Sequence, residues 1–375
     1  MVQERMRAWV EIDTQALIHN LNVAKKMTGR KVMAVIKGNA HGHGAVQCGL
    51  ALEANGADAF AVACMMEGIE LRKGGIQIPI LILGWTPAEF AVQLADYQLT
   101  QSVVDEEYAI ELNEAGKAAG RRIDVHVKLD TGMSRTGIYA QGNPAEAAQA
   151  LNRISCLQNL RIKGIFTHYA AADNPEKEQF TKWQLENYKA VLHELENLGF
   201  DKDVIHHTGN SAGILYHRET YFDMVRMGVM MYGLYPNGIY EADGPLRQAL
   251  TLKARIAQIK ELPKGAHVSY GCTYETEHPT KIAIVTAGYA DSYPRSLSNN
   301  GAYAIINKQR CLQLGRVCMD MTVFDITNIH DAKRGDEVIL YGKGGMPMEE
   351  VASLAGSINC EPLCLLTNRV EKIYF

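Results

Sequence analysis

The sequence predicts an α/β chain in which a (β/α)8 barrel of the TIM type is followed by a mostly β domain. From Lys31 to about Met227, short β-branched runs alternate with longer segments of helical period, and the runs number eight. After Gln248 helical patterns nearly vanish and strand patterns follow one another. An open doubly wound sheet is the alternative for the first part, but eight strands separated by helices fit a closed barrel better.

Taken in order, a helix over roughly Thr14 to Met27 precedes the first barrel strand and can pack against either domain. The barrel strands are then KVMAVIK, ADAFAVA, IPILIL, LTQSVV, IDVHVKLD, RIKGIFTH, DVIHHT and FDMVRM. Among the intervening helices, DEEYAIELNEAGKAAG opens on Asp105 as a cap, and KEQFTKWQLENYKAVLHELENLG ends on a glycine stop. NGIYEADGPLRQ joins the domains, which are read as residues 1–242 and 243–375. The second contains the strands LTLKARIAQIKEL, KIAIVTAG, AYAIINKQRCLQL, CMDMTVFDIT, DEVILYG and LLTNRVEKIYF, with one helix near Met348 to Ala355.

Composition limits what such a chain does. Its 375 residues are 47% hydrophobic and 21% charged, enough for a large core. The net charge of −4 comes from 38 basic and 42 acidic residues without a basic block, which argues against a nucleic-acid partner. No apolar run approaches the roughly 18 residues of a membrane span, and MVQERMRAWVEID lacks a signal-peptide core, so the expectation is cytoplasmic. The eight cysteines form no CxxC pair and no zinc spacing, and are read as reduced, mostly buried thiols.

Barrel enzymes work at the carboxyl ends of their strands. There the first strand delivers Lys37, the fifth runs through Lys128 and Asp130 to Arg135, the sixth ends on His168, the seventh opens into Asn210 and Ser211, and the eighth carries Arg226 before Gly228. The loops HTGNSAG and RMGVMMYG supply a phosphate cradle, with the Ser211 hydroxyl and backbone amides at Gly228 and Val229. Lys37 alone reads as an ion-paired or snorkelling lysine. Flanked by an apolar strand and facing a phosphate site, it suits a Schiff base with an aldehyde cofactor. A metal site at His41 and His43 is disfavoured, because an i, i+2 pair needs further ligands and no HExxH pattern occurs.

The set IKGNAHGHG, KLDTGMSRTG, IFTHYA, HHTGNSA, VRMGVMMYGL, VSYGCTY, TAGYADSYPR and GRVCMDM resembles the alanine racemases, fold type III pyridoxal 5'-phosphate enzymes. The resemblance runs from WVEID through RVEKIY. It implies a head-to-tail homodimer whose active sites are built by both subunits. It implies that Lys37 holds the cofactor and is one catalytic base, with Tyr270 from the partner subunit as the other. Two opposed bases exchange protons on both faces of a planar carbanion without rotating it.

By the same resemblance Arg226 faces the pyridine nitrogen and leaves it unprotonated. His168 bonds near Arg226 and tunes the Tyr270 hydroxyl, whose ordinary pKa of about 10 is high for a base. Arg135 neutralises charge near cofactor and substrate, held by Lys128, which is carbamylated in many members. The Met319 amide, beside Asp320, meets the substrate carboxylate, and Tyr289 lines the entrance.

Two departures stand out. The family loop AYGHG has His41 in place of its tyrosine, and the family NYE is replaced by SINCEP, with Cys360 in the tyrosine slot after Asn359. With less ring in the pocket, a polar side chain can meet a substrate hydroxyl, and hydrophobic pockets reject an added hydroxyl only weakly. The pattern is similar to the serine/alanine racemase domains of vancomycin-resistance systems, which are normally fused to a membrane domain. The expectation is a racemase that acts on serine and alanine, prefers serine and supplies a D-amino acid for cell-wall precursors. A strict alanine racemase, a fold type III decarboxylase and a non-catalytic pyridoxal phosphate carrier are the alternatives. Arg226 opposes the decarboxylase, and the second domain opposes the carrier.

Overall fold

The computed structural model describes residues 6–200 and 203–375. Contacts divide the chain into two compact units. One contains Leu21–Ala40 and Ala45–Met231; the other contains the stretch through Asn20, the tetrapeptide His41–Gly44, and Tyr232–Phe375.

Strand β1 (Ala8–Ile12) belongs to the second unit. The first unit is a barrel of β2 (Lys31–Val35), β3 (Ala59–Val62), β4 (Ile80–Ile82), β5 (Leu99–Val103), β6 (Ile123–Asp130), β8 (Leu160–Phe166), β9 (Ile205–His207) and β10 (Met224–Met227), with a two-residue β7 (Ile138–Tyr139) paired to β6. These are the eight expected runs, parallel in the order β10-β2-β3-β4-β5-β6-β8-β9. The seam between β9 and β10 is crossed by Asp223 N–H to His206 O at 3.0 Å and Arg226 N–H to Gly209 O at 2.8 Å.

Parallel strands covered on both faces read as unbroken apolar runs. Polar side chains inside them therefore matter. Alternation along β6 puts Val125, Val127 and Leu129 on one face and His126, Lys128 and Asp130 on the other. Met33, Val35, Ala59, Ala61, Leu81 and Met224 form an apolar layer drawn from four strands. Asp105 caps the helix Glu106–Ala119 by accepting from Tyr108 N–H at 2.7 Å, and Gly120 ends it in the left-handed conformation.

The second unit is built around β11 (Leu250–Leu262), followed by β12 (Thr280–Val285), β13 (Tyr303–Ile306), β14 (Gln309–Leu314), β15 (Thr322–Asp325), β16 (Glu337–Gly342) and β17 (Glu371–Tyr374). The first half of β11 pairs with β16 and β1, and its second half pairs with β12. Pairing then runs β12-β15-β14-β13-β16 and returns to β11, while β17 lies parallel to β1. The expected helix spans Met348–Ala355, and a short helix, Glu361–Cys364, was not anticipated.

Two expectations change. WVEID, to which the sequence reading assigns no element, forms β1 between β11 and β17. Of the eight cysteines only Cys48 and Cys311 are buried, so the thiols are not mostly core residues. The helix Thr14–Thr28 begins in the second unit, where Asn20 exchanges hydrogen bonds with the Arg247 backbone at 2.8 and 2.9 Å. Among the described residues, no helix is long and apolar enough to cross a membrane.

Candidate active site

Lys37 follows β2 and opens a turn of unusual hand. Gly38, Asn39, Ala40 and His41 all have positive φ, between 48° and 63°. For residues with a Cβ this conformation costs roughly 1–2 kcal/mol each, so neighbours must hold it. The Glu67 carboxylate accepts from Gly38 N–H at 2.6 Å and from Ala63 N–H at 2.7 Å, tying this turn to the loop after β3. Asn39 Oδ1 accepts from Ala45 N–H at 2.8 Å.

Lys128 is 5% exposed and donates to Thr136 Oγ1 at 2.6 Å. Burial first, then Arg135 and Arg226, lower its pKa to about 8; Asp130 opposes that fall, and Lys37 adds to it. Asp130 turns one carboxylate oxygen to the amides of Gly132 and Ser134, at 3.1 and 2.9 Å, and so shapes the loop that presents Arg135. Arg135 is exposed.

Arg226, 3% exposed, makes five hydrogen-bond contacts. Its Nη1 donates to His207 O at 2.5 Å and to His207 Nδ1 at 3.0 Å; its Nη2 donates to Thr167 O, Thr208 O and His168 Nδ1 at 2.6, 3.0 and 3.3 Å. Nε makes no hydrogen bond among the described residues. Burial lowers the guanidinium to about 10, so it remains a cation at neutral pH. Because arginine has no acceptor, the 3.3 Å contact leaves His168 Nδ1 unprotonated. Burial, followed by Arg226, holds His168 far below the ordinary histidine range. Gln184, buried, secures this strand end by donating to His168 O at 3.1 Å and accepting from Ala170 N–H at 2.9 Å.

The Ser211 hydroxyl accepts from Gly228 N–H at 3.0 Å and Met230 N–H at 3.4 Å. Here the Gly228 amide points to Ser211 rather than into open space, which differs from the direct cradle expected of it. A Cβ on Gly228 would meet only Ser211 Oγ, at 3.6 Å, so the space beside it is open. Val229 starts the short 3-10 turn Val229–Tyr232. Asn210 caps the helix Ser211–Tyr216 through Gly213 N–H at 2.9 Å and donates to Tyr169 O at 3.4 Å, a loop-shaping position.

The remaining expected site residues lie in the second unit. Tyr270 is 70% exposed on a strained turn in which Ser269, Gly271 and Cys272 all have positive φ. Ser269 Oγ donates to Arg316 O at 2.6 Å, which joins this turn to the loop carrying Met319. Tyr289 N–H and Ala290 N–H donate to Cys318 O and Met319 O at 3.0 and 3.1 Å. Asp320 pairs with Arg369 at 2.7 Å, and Arg369 also grips the buried Asp291. Tyr270, Tyr289, Met319 and Asp320 thus belong to three interlocked loops.

Asn359 is buried, and its amide donates to Tyr235 O at 2.8 Å. Cys360 beside it is half-buried. The ring of His41 is buried 4.8 Å from that of Tyr232, and Tyr232 also meets His43 at 4.4 Å. The lost tyrosine therefore leaves an imidazole packed on an aromatic ring rather than an opening.

Sequence reasoning missed Glu67, Gln184, His126 and His207. Only the two histidines carried a signal, as polar residues within apolar barrel strands. The donors present suit a phosphorylated, carboxylated guest. Arg135, Arg226 and Lys37 act through space on Lys128, Ser211 stands beside open space at Gly228, and Arg226 keeps Nε available.

Residues 12–236 match the family described as alanine racemase, N-terminal domain, and residues 249–374 match alanine racemase, C-terminal domain. An alanine racemase of Desulforamulus reducens is 40% identical over 98% of both chains. The structure of an alanine racemase from Clostridium difficile 630 superimposes with a TM-score of 0.91 at 38% identity, covering 99% of this chain and 96% of that one. Another, from Bartonella henselae, with covalently bound pyridoxal phosphate, gives 0.88 at 26% identity over 98% and 99%. With both domain families matched across nearly its whole length on a barrel bearing this cationic strand-end cluster, the chain belongs to the alanine racemase family.

Proposed function

We propose that this protein is a pyridoxal 5'-phosphate-dependent isomerase that interconverts L- and D-alanine. The observation that carries the reading is the group of Lys37, Lys128, Arg135 and Arg226 around a single carboxylate, Asp130, which is occupied with backbone amides. Such a site is short of negative charge and suits a guest with a phosphate and a substrate with a carboxylate.

Pyridoxal phosphate, when bound, supplies the electron withdrawal that makes the substrate Cα–H acidic. Lys37 would hold the cofactor through its side-chain amine and exchange the Cα proton on one face. Tyr270, contributed by a second copy of the chain, exchanges it on the other. Arg226 would hold the ring nitrogen from its Nε and, staying protonated itself, would leave that nitrogen unprotonated. The Ser211 hydroxyl, which accepts from the Gly228 amide and can still donate, would hold the phosphate in the open space beside Gly228, together with the Val229 amide. Arg135 and the Met319 amide orient the substrate carboxylate. With Nδ1 accepting from Arg226, neutral His168 carries its proton on Nε2 and can donate toward the Tyr270 oxygen, favouring the phenolate. The exposure of Tyr270, Met319, Met321 and Tyr289 supports a homodimer that covers this face. A D-alanine product suits supply to cell-wall precursors.

The expected preference for serine gives way to alanine. The compared relatives carry the name alanine racemase, and His41 fills its place against Tyr232 rather than vacating it. Chiral chromatography of product formed from each enantiomer tests this. The expected result is kcat/KM for alanine at least about tenfold above serine, a difference near 1.4 kcal/mol. Tyr270→Phe should impair proton removal from one enantiomer of alanine more than the other without loss of fold, since the ring is exposed. Serine turning over as fast as alanine would refute the substrate, and equal impairment in both directions would refute the two-face assignment.

A further inference from the structure

Two histidines with no part in that chemistry line up behind Arg226. His207 Nδ1 lies 3.0 Å from Arg226 Nη1, and His207 Nε2 lies 2.8 Å from His126 Nδ1. Both rings are buried. A guanidinium only donates, so His207 Nδ1 is unprotonated and its ring proton sits on Nε2. That proton is donated to His126, whose Nδ1 is therefore an acceptor in turn. Burial lowers His126 to about 3 and His207 far below the histidine range. The charged and titratable groups facing them are Asp124, Lys163, Arg226 and His207 for His126, and His126, Arg226 and His206 for His207.

The surroundings are built for this line. The His207 ring stacks on Phe166 at 4.8 Å and 9°, and Phe166 also lies 5.4 Å from the Arg226 guanidinium. His126 fits only because β8 has Gly164 opposite it: a Cβ there would sit 2.7 Å from the imidazole. The β6–β8 register shifts between Val125 and His126, an irregularity of the kind that re-aims side chains near active sites.

We infer that His207 and His126 are positioning residues for Arg226, a chain of two neutral imidazoles with fixed tautomers. They brace the guanidinium from behind without a counter-charge, leaving Nε and the full positive charge for the cofactor's ring nitrogen. The inference rests on the function proposed above. A carboxylate in the place of His207 would also orient Arg226, but it would cancel the charge. A neutral ring orients without cancelling.

The test uses holoenzyme labelled with 15N-histidine, together with His207→Phe and His207→Asn. The Asn carbonyl keeps an acceptor for Nη1 but cannot reach His126. Nitrogen shifts at pH 7 should report His207 as neutral, with Nδ1 bare and Nε2 protonated. His207→Phe leaves a buried donor unmatched and should weaken cofactor affinity by about 10–100-fold and shift the pH profile of racemisation. His207→Asn should recover most of the affinity. A folded His207→Phe variant with the parental affinity and pH profile, or a doubly protonated His207, overturns the inference. If His207→Phe does not fold, His207→Asn and the nitrogen shifts decide. Wild-type protein that takes up no pyridoxal phosphate would instead refute the function, while the tautomers of His207 and His126 would still be read.

Discussion

Replacing Lys128 with methionine should stabilise this protein at neutral pH. Its ordinary pKa of 10.5 falls to about 8 through burial and then through Arg135 and Arg226. The gap of about 2.5 pH units makes the buried ammonium cost about 3 kcal/mol of folding free energy, which is order-of-magnitude but large for one side chain. The unfolded chain holds this proton up to about pH 10.5 and the folded chain only to about pH 8. The cost is therefore complete below pH 8, shrinks as pH rises through the window from 8 to 10.5, and vanishes above it. Lys128→Met also loses the bond to Thr136, worth roughly 1 kcal/mol. The net expectation is a gain of about 2 kcal/mol at pH 7 in CO2-free buffer, fading at pH 9 and reversing near pH 11. Urea denaturation of both proteins across that range measures it, and the difference between them removes every other titrating group. Bicarbonate adds a second arm. A neutral lysine amine takes up CO2, releasing a proton and leaving a carbamate, an anion that Arg135, Arg226 and Lys37 would stabilise. Wild type should then gain stability and a 13C carbamate signal, and the variant should gain neither. A variant less stable than wild type at pH 7 without CO2, or a difference independent of pH, would refute the reasoning.

Glu67→Ala removes the acceptor of Gly38 N–H and Ala63 N–H and should cost about 1–3 kcal/mol while hastening cofactor release, because the left-handed turn after Lys37 relaxes. Glu67→Gln, with one acceptor left, should show roughly half the effect in thermal denaturation and in cofactor dissociation. Asp291→Asn leaves Arg7 and Arg369 facing a neutral amide; both arginines are over a third exposed and partly screened, so the loss should be about 1–3 kcal/mol by urea denaturation.

The barrel was legible because each strand is a short apolar run set between longer helical patterns, a signal contained within a few neighbouring residues. β1 was not. AWVEI is five residues long and finds its partners at residues 250–254 and 371–374. The grouping of His41–Gly44 with the second unit is non-local in the same way, and it turned an expected opening at His41 into an imidazole packed on Tyr232. The strand-end rule singled out Lys37, Lys128, His168 and Arg226, which lie in or just beyond β2, β6, β8 and β10, since it needs only the end of each run. His126 and His207 passed for filler in apolar strands. Their partnership exists only once β6, β8 and β9 take their register and Gly164 makes room. Glu67 had no signal at all, being one more carboxylate at the start of a helix.

What these residues share is that neighbouring carboxylates face backbone amides rather than cations. Asp130, the acid nearest Lys128 in sequence, accepts from Gly132 and Ser134; Glu67, nearest the Lys37 turn, accepts from Gly38 and Ala63. Arg226 is held by three carbonyls and two imidazoles, none of which carries charge at neutral pH. The protein orients its cations through dipoles and leaves their charge uncompensated. The depressed pKa of Lys128 follows first from burial and then from that arrangement, which also suits the phosphate and carboxylate of the proposed ligands. An acid introduced next to Arg226 would make the barrel easier to fold and the ligand harder to bind. Stability and binding are therefore expected to move in opposite directions for charge changes at these strand ends.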